Sequence, residues 1–131
     1  AHHPTAVSKT IAGYRVFYPG RRIVVDFMPH LYSRTKDLFD GFVAAFDDAD
    51  VVILHGIYAS ARERSGKVTG ADLFREVKMR RPRAFYFEKI EEAEGFCREL
   101  LAPGDVFITM GAGDNWKLGR AVLENTGAKS D

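Results

Sequence analysis

The chain has 131 residues, of which 46% are hydrophobic and 28% are charged, and this length and composition are typical of one globular domain. The formal net charge of +1 gives no electrostatic reason to expect a nucleic acid or a membrane as partner, and no apolar run reaches the roughly 18 residues that cross a bilayer. The one cysteine, Cys97, excludes an internal disulfide and is suited to a reducing, cytoplasmic location.

Helices and strands are predicted to alternate along the chain. Helices are predicted over 4–17, 35–47, 70–80, 91–101 and 115–125. Strands are predicted over 23–28, 51–54, 84–87 and 105–110. This alternation predicts an α/β fold, a three-layer Rossmann-like domain with a mainly parallel sheet and helices on both faces.

Three loops that leave the carboxyl ends of predicted strands carry polar or glycine-rich sequences. They contain His30, Tyr32, Ser33 and Arg34 after the first strand, Tyr58, Arg62 and Glu63 after the second, and Gly111, Gly113 and Asp114 after the fourth. Open α/β sheets bind ligands at this edge, and paired glycines let a backbone approach a ligand closely. We therefore expect the functional site there.

Several of these residues also have an ordinary structural explanation. Arg34 could pair with a carboxylate or phosphate, or it could be solvated at a helix start. His30 could contact a ligand or be held by a backbone hydrogen bond, and Asp114 could contact a substrate or cap the following helix. The glycine pair lacks the third glycine of a dinucleotide-binding turn and the lysine of a phosphate loop.

Three other notable residues are predicted to be structural. His55 follows a buried strand, Cys97 lies on the apolar side of a helix, and Trp116 is predicted to pack rather than to stack on a ligand. No histidine–carboxylate cluster has the spacing of a zinc site, and no serine nucleophile elbow is present. These patterns give no support for a zinc enzyme or a serine hydrolase.

Three blocks together resemble the C-terminal domain of the Mur ligases. They are residues 2–5 (HHPT), 27–39 (FMPHLYSRTKDLF) and 109–114 (TMGAGD). Their order and separation also match the family, and the resemblance spans nearly all of this chain but only the last part of such an enzyme. The resemblance implies that residues 1–131 are a single domain that binds the amino acid and closes over ATP, and that this domain is a fragment of a three-domain ligase.

The resemblance also implies a reaction and its partners. Within the family, the resemblance is strongest to the members that add L-alanine. In these, ATP phosphorylates the carboxylate of UDP-N-acetylmuramate, and the amine of L-alanine attacks the acyl phosphate, with magnesium supporting phosphoryl transfer. ATP and magnesium would be held mainly by a central domain that this chain does not include, so the isolated domain is expected to be inactive.

Residue roles follow from the same resemblance. Arg34 matches a family arginine that pairs with the amino-acid carboxylate, and His3 and His30 are assigned to the same amino-acid substrate site. The nucleotide and active-site loop residues would be His2, Gly111, Gly113 and Asp114. Leu31 and Gly56 depart from the family pattern, which often has arginine and aspartate at these positions.

Two alternatives remain open from the sequence. One is the same domain of the murein-recycling ligase, which attaches a tripeptide to the same nucleotide sugar. The other is a non-catalytic α/β binding module.

Overall fold

The computed structural model describes residues 3–29, 35, 38–57, 69–111 and 113–126. The helices are α1 (Pro4–Phe17), α2 (Phe39–Ala45), α3 (Gly70–Arg80), α4 (Ile90–Leu100) and α5 (Trp116–Thr126). The strands are β1 (Ile23–Met28), β2 (Val51–His55), β3 (Ala84–Phe87) and β4 (Val106–Gly111). Apart from α2, each element lies within one residue of its predicted bounds.

Helix α2 ends earlier than the sequence predicts, at Ala45 rather than at residue 47. The amide of Asp47 donates to the Ala44 carbonyl, and the amide of Ala49 donates to the Phe46 carbonyl, so the chain turns here instead of continuing the helix. The turn delivers the amide of Asp50 to the Ile23 carbonyl at 2.9 Å, beside the start of β1. The first part of the predicted helix includes residues 36 and 37, which lie outside the described residues.

The four strands form one parallel sheet in the order β3-β2-β1-β4. Every residue of β1 and β2 is buried, as expected for central strands covered on both faces. Their continuous apolar runs are therefore explained by this central position. Parallel pairing also places the carboxyl ends of all four strands at one edge of the sheet.

Helices cover both faces of the sheet, and the predicted three-layer α/β fold is confirmed. One face packs against α1, α2 and α3, where Phe27 of β1 lies 5.3 Å, ring centroid to ring centroid, from both Phe42 and Phe46. The other face packs against α4 and α5 and buries Cys97, which confirms that this cysteine belongs to the core. Such interlocked aromatic and aliphatic side chains supply most of the favourable free energy of folding.

The prediction that Trp116 packs is wrong, because the residue is 54% exposed. Trp116 is the first residue of α5, and the buried positions of that helix are instead Leu118 and Val122. Among the described residues, no helix is both long and apolar enough to cross a membrane.

Candidate site at the carboxyl edge of the sheet

The strand pairing places the start of the predicted glycine loop beside the end of β1. Met28, the last residue of β1, pairs with Gly111, the last residue of β4. Gly111 has φ +113°, and a Cβ atom built on it would lie 2.2 Å from the Met28 carbonyl oxygen. A side chain here would meet both backbone strain and a steric clash. The fold therefore requires this glycine whether or not a ligand binds nearby.

Asp114 offers a solvent-accessible carboxylate in the β4–α5 loop (residues 112–115). Its side chain is 48% exposed and lies 3.7 Å from Lys117 Nζ. The Asp114 carbonyl accepts a bond from the amide of Lys117, and Gly113 beside it is partly exposed. An exposed ion pair of this kind adds little stability, so the carboxylate can exchange partners at low cost.

His3 lies at the same edge, because α1 runs towards the start of β1 and so begins near its end. His3 is the N-cap of α1: its Nδ1 accepts a hydrogen bond from the amide of Thr5 at 3.2 Å. In the neutral ring the proton is then on Nε2. The side chain lines a cavity of about 460 Å³ between α1 and α2, together with Pro4, Thr5, Leu38, Phe39, Asp40 and Gly41.

A buried polar network, which the sequence analysis did not foresee, lies just beneath this edge. The carboxylate of Asp26 is 2.6 Å from Nε2 of His55 and accepts a bond of 2.8 Å from the side-chain amide of Asn115. That amide also donates to the backbone carbonyls of Asp26 and Met110, at 3.1 and 2.9 Å. Nδ1 of His55 lies 2.8 Å from the Phe87 carbonyl. All three side chains are buried.

The geometry fixes how many protons the network holds. A carbonyl can only accept, so Nδ1 of His55 must donate to Phe87. Nε2 faces a carboxylate oxygen, and that contact needs a second proton between His55 and Asp26. Asp26 already accepts a bond from Asn115, which favours placing the proton on the imidazole.

The electrostatic environment agrees with a charged imidazole. Burial by itself lowers the pKa of His55, but the hydrogen bond to Asp26, the negative charge of Asp26, the Phe87 carbonyl and Glu91 together outweigh burial. The pKa of His55 is therefore raised above its ordinary value. The burial of His55 and the partners of both its ring nitrogens confirm the prediction that it is structural.

The sequence held a weak signal for this network. Asp26 is a lone acid inside the apolar run IVVDFM, and His55 ends a second apolar run. Buried charges in proteins are almost always paired, so two such residues on neighbouring strands suggest each other as partners. Nothing local pointed to Asn115, because its contact with Asp26 spans 89 positions in sequence.

A family comparison identifies the kind of domain to which this edge belongs. A family profile described as "Mur ligase, glutamate ligase domain" matches residues 1–113. The chain belongs to the Mur ligase family. The resemblance drawn from the three sequence blocks is thereby confirmed.

One relative of the Mur ligase domain agrees with this assignment. A UDP-N-acetylmuramate–L-alanine ligase of Treponema pallidum is 53% identical over 123 residues, which make up 93% of this chain and 26% of that protein. The chain therefore spans about a quarter of the length of this relative.

Solved structures share the fold of the Mur ligase domain. UDP-N-acetylmuramate-alanine ligase of Thermotoga maritima aligns with a TM-score of 0.73 at 23% identity, over 98% of this chain and 26% of that one. A murein peptide ligase of Psychrobacter arcticus aligns with a TM-score of 0.70 at 16% identity, over 97% of this chain and 26% of that one. At these identities the alignments support the fold alone, and they fit ligases for different additions about equally well.

Some predicted site residues of the Mur ligase domain lie outside the described residues. These are His2, His30 and Arg34, and the loop residues Tyr32, Ser33, Tyr58, Arg62 and Glu63. The structure does bring His3, Gly111, Gly113 and Asp114 to the carboxyl edge. Their assignment to ligand binding remains a prediction.

Two larger cavities of the Mur ligase domain are lined by described residues other than the predicted site residues. One of about 550 Å³ at the opposite edge is lined by several arginines, but Arg15 there is paired with Asp50 and Arg81 donates to the Ala49 carbonyl. The other, of about 930 Å³, runs along β4 and includes the exposed Trp116. Open α/β sheets bind ligands outside the carboxyl ends of their strands, so the carboxyl edge, rather than the largest cavity, is the candidate site.

Proposed function

We propose that this chain is the C-terminal, amino-acid-binding domain of a three-domain, ATP-dependent ligase that joins L-alanine to UDP-N-acetylmuramic acid in peptidoglycan synthesis. ATP would convert the muramyl carboxylate into an acyl phosphate. The L-alanine amine would then attack the acyl carbon and expel phosphate, which leaves an amide and ADP. We place this reaction in the cytoplasm, where ATP and nucleotide sugars are available.

The observation that carries the proposal is the likeness to an L-alanine ligase over 93% of the chain at 53% identity. That protein is about four times longer than the matching segment, which supports a multidomain enzyme in which this domain supplies one wall of the site. One domain alone cannot enclose and orient the substrates, which stay solvated, so we expect no turnover from the 131-residue chain alone.

We assign the carboxyl edge of the sheet to substrate binding. Arg34 would pair with the alanine carboxylate, since a guanidinium can form two parallel bonds to it. His3 and His30 would contribute to the same amino-acid site. His2, Gly111, Gly113 and Asp114 would lie against the nucleotide. The half-exposed carboxylate of Asp114 and the exposed imidazole of His3 support these roles, because both can reach a ligand.

Magnesium would neutralise phosphate charge during phosphoryl transfer when it is bound. The described part of this chain contains no group of three or more histidine, cysteine, aspartate or glutamate side chains able to hold a metal ion. These residues do not fit a magnesium site. We therefore assign the ion and most ATP contacts to the central domain and derive no step of this domain through magnesium.

An amino-acid-dependent phosphate release assay tests the proposed function. The full-length enzyme should release phosphate from ATP only when UDP-N-acetylmuramate and L-alanine are both present. Turnover with a tripeptide but not with alanine would instead identify the murein-recycling activity. Absence of turnover with either acceptor, from folded enzyme, would leave a non-catalytic binding module.

The assigned role of Arg34 has its own test. Arg34→Ala in the full-length enzyme should weaken alanine binding by about 2–5 kcal/mol, because a buried carboxylate would lose its partner. The increase should appear in the KM for alanine, with the KM for ATP much less affected. Arg83→Ala, which removes an exposed arginine at the opposite edge of the sheet, is the matched control. An unchanged alanine KM in Arg34→Ala would refute the role.

A further inference from the structure

The buried network joins every strand of the sheet to the loop that follows β4. Asp26 belongs to β1, His55 ends β2, and the carbonyl that His55 contacts belongs to Phe87 of β3. Asn115 immediately precedes α5 and also donates to Met110 of β4. Three side chains therefore connect four strand ends that are distant in sequence.

The β4–α5 loop is held at both of its ends. At the first end, Gly111 packs so closely on the Met28 carbonyl that a Cβ atom would not fit. At the second end, the amide of Asn115 makes three contacts of 2.8 to 3.1 Å, all to acceptors on β1 or β4. Gly113 and Asp114 lie between these two anchors. The contacts that the two anchors make with β1 and β4 therefore fix the position of Gly113 and Asp114 relative to β1.

Stability alone does not account for a charged network in this place. A buried ion pair is often no more stabilising than well-packed apolar side chains of similar volume. What hydrogen bonds add is direction, because each requires its donor and acceptor within a narrow range of distance and angle. A network whose members all have partners can hold a loop in one place more strictly than apolar packing does.

We propose that Asp26, His55 and Asn115 are positioning residues that hold Gly113 and Asp114 of the β4–α5 loop in the arrangement that binds nucleotide. This inference rests on the proposed function, since it concerns the same edge of the sheet. None of the three side chains touches a substrate in this scheme. They act through the loop, as supporting residues do when they fix the geometry of a site.

Asn115→Ala tests the proposal, with Val122→Ala as the matched control. Val122 is buried on the same helix but belongs to the apolar core, so its truncation weakens packing without touching the network. In the full-length enzyme, Asn115→Ala should raise the KM for ATP about tenfold, because a displaced loop binds less well. Val122→Ala should leave that KM unchanged. A loss of folded enzyme in either variant lowers only the apparent kcat.

Hydrogen exchange of the 131-residue chain gives a second readout that does not depend on catalysis. Backbone amides at 113–115 should exchange about tenfold faster in Asn115→Ala than in Val122→Ala, relative to amides of β1. If Asn115→Ala does not fold, Asn115→Ser, which keeps a shorter polar group, should change both readouts in the same direction.

The outcomes separate the inference from the proposed function. Faster loop exchange together with a raised ATP KM supports the positioning role. Unchanged loop exchange, or a purely kcat effect in Asn115→Ala, overturns it. If wild-type enzyme shows no alanine-dependent turnover, the proposed function fails, and loop exchange alone then decides whether the network holds the loop.

Discussion

Replacing Asp26 with asparagine should reverse the pH dependence of this domain's stability near neutral pH. In the native network, the imidazole of His55 donates from both nitrogens, to Phe87 and to the Asp26 carboxylate. In Asp26→Asn, the introduced amide can donate its N–H to Nε2 of a neutral imidazole. Its oxygen can still accept the bond from Asn115. The hydrogen bonds are kept, but the imidazole must lose its charge.

The sign of the effect follows from where His55 holds its proton. In the native protein burial lowers the pKa of His55, but Asp26, the Phe87 carbonyl and Glu91 together raise it further, so the folded-state pKa lies above the ordinary 6.5. The stabilisation is complete below pH 6.5 and is lost as the pH rises through the folded-state pKa. Between the unfolded-state and folded-state pKa values, the folded protein binds one more proton than the unfolded chain does. The free energy of unfolding therefore falls by about 1.4 kcal/mol for each unit by which the pH rises in this range.

In Asp26→Asn the linkage has the opposite sign. The buried, neutral imidazole now has a folded-state pKa below its unfolded value, so the unfolded chain takes up the extra proton. The free energy of unfolding should therefore fall by about 1.4 kcal/mol per unit as the pH drops below that unfolded value. Above the unfolded-state pKa of His55, the free energy of unfolding of the variant should depend little on the protonation of His55.

Urea denaturation followed by far-ultraviolet circular dichroism measures both slopes, between about pH 5.5 and about pH 8.5. Asp48→Asn is the matched control, because it makes the same chemical change at an exposed position. Its pH dependence should follow that of the native chain. Slopes of the same sign in the native chain and in Asp26→Asn would refute the protonation that we assign to His55.

Three further predictions concern single positions. Gly111→Ala should lower the free energy of unfolding by about 3 kcal/mol or more, because the φ of +113° and the nearby Met28 carbonyl exclude a Cβ atom. Gly95→Ala, in a helix with open space around it, should raise the free energy of unfolding by about 0.5–1 kcal/mol. Denaturation curves that rank the two variants the other way would contradict the backbone argument. The Cys97 thiol, whose burial together with the charge of Asp26 raises its pKa to about 12, should react with a maleimide at mildly alkaline pH only after unfolding, and rapid native labelling would contradict its burial. Thr69→Ala should cost about 1 kcal/mol in chemical denaturation by removing the cap of α3, and an unchanged midpoint would show that the cap is not needed.

Local sequence patterns predicted the secondary structure well, for identifiable reasons. The apolar runs at 23–28 and 51–54 leave no polar face, so only central strands of a covered sheet suit them. Helix periodicity and nearby caps bounded α1 and α3 to the residue. The end of α2 was wrong because tertiary demands on the turn at 46–49 override helix propensity. The exposure of Trp116 also escaped prediction, since the first residue of a helix can face either the sheet or solvent.

The sequence by itself determined the alternation of helices and strands, the burial of the central strands and the edge at which the loops that follow the strands gather, because these follow from periodicity and from parallel pairing. Only the tertiary structure decided that Asp26, His55 and Asn115 meet, since their contacts join segments up to 89 residues apart. It also decided why Gly111 is a glycine, because the Met28 carbonyl that excludes a side chain belongs to another strand. Local patterns record which face a residue buries, whereas its partner is fixed only when the strands assemble.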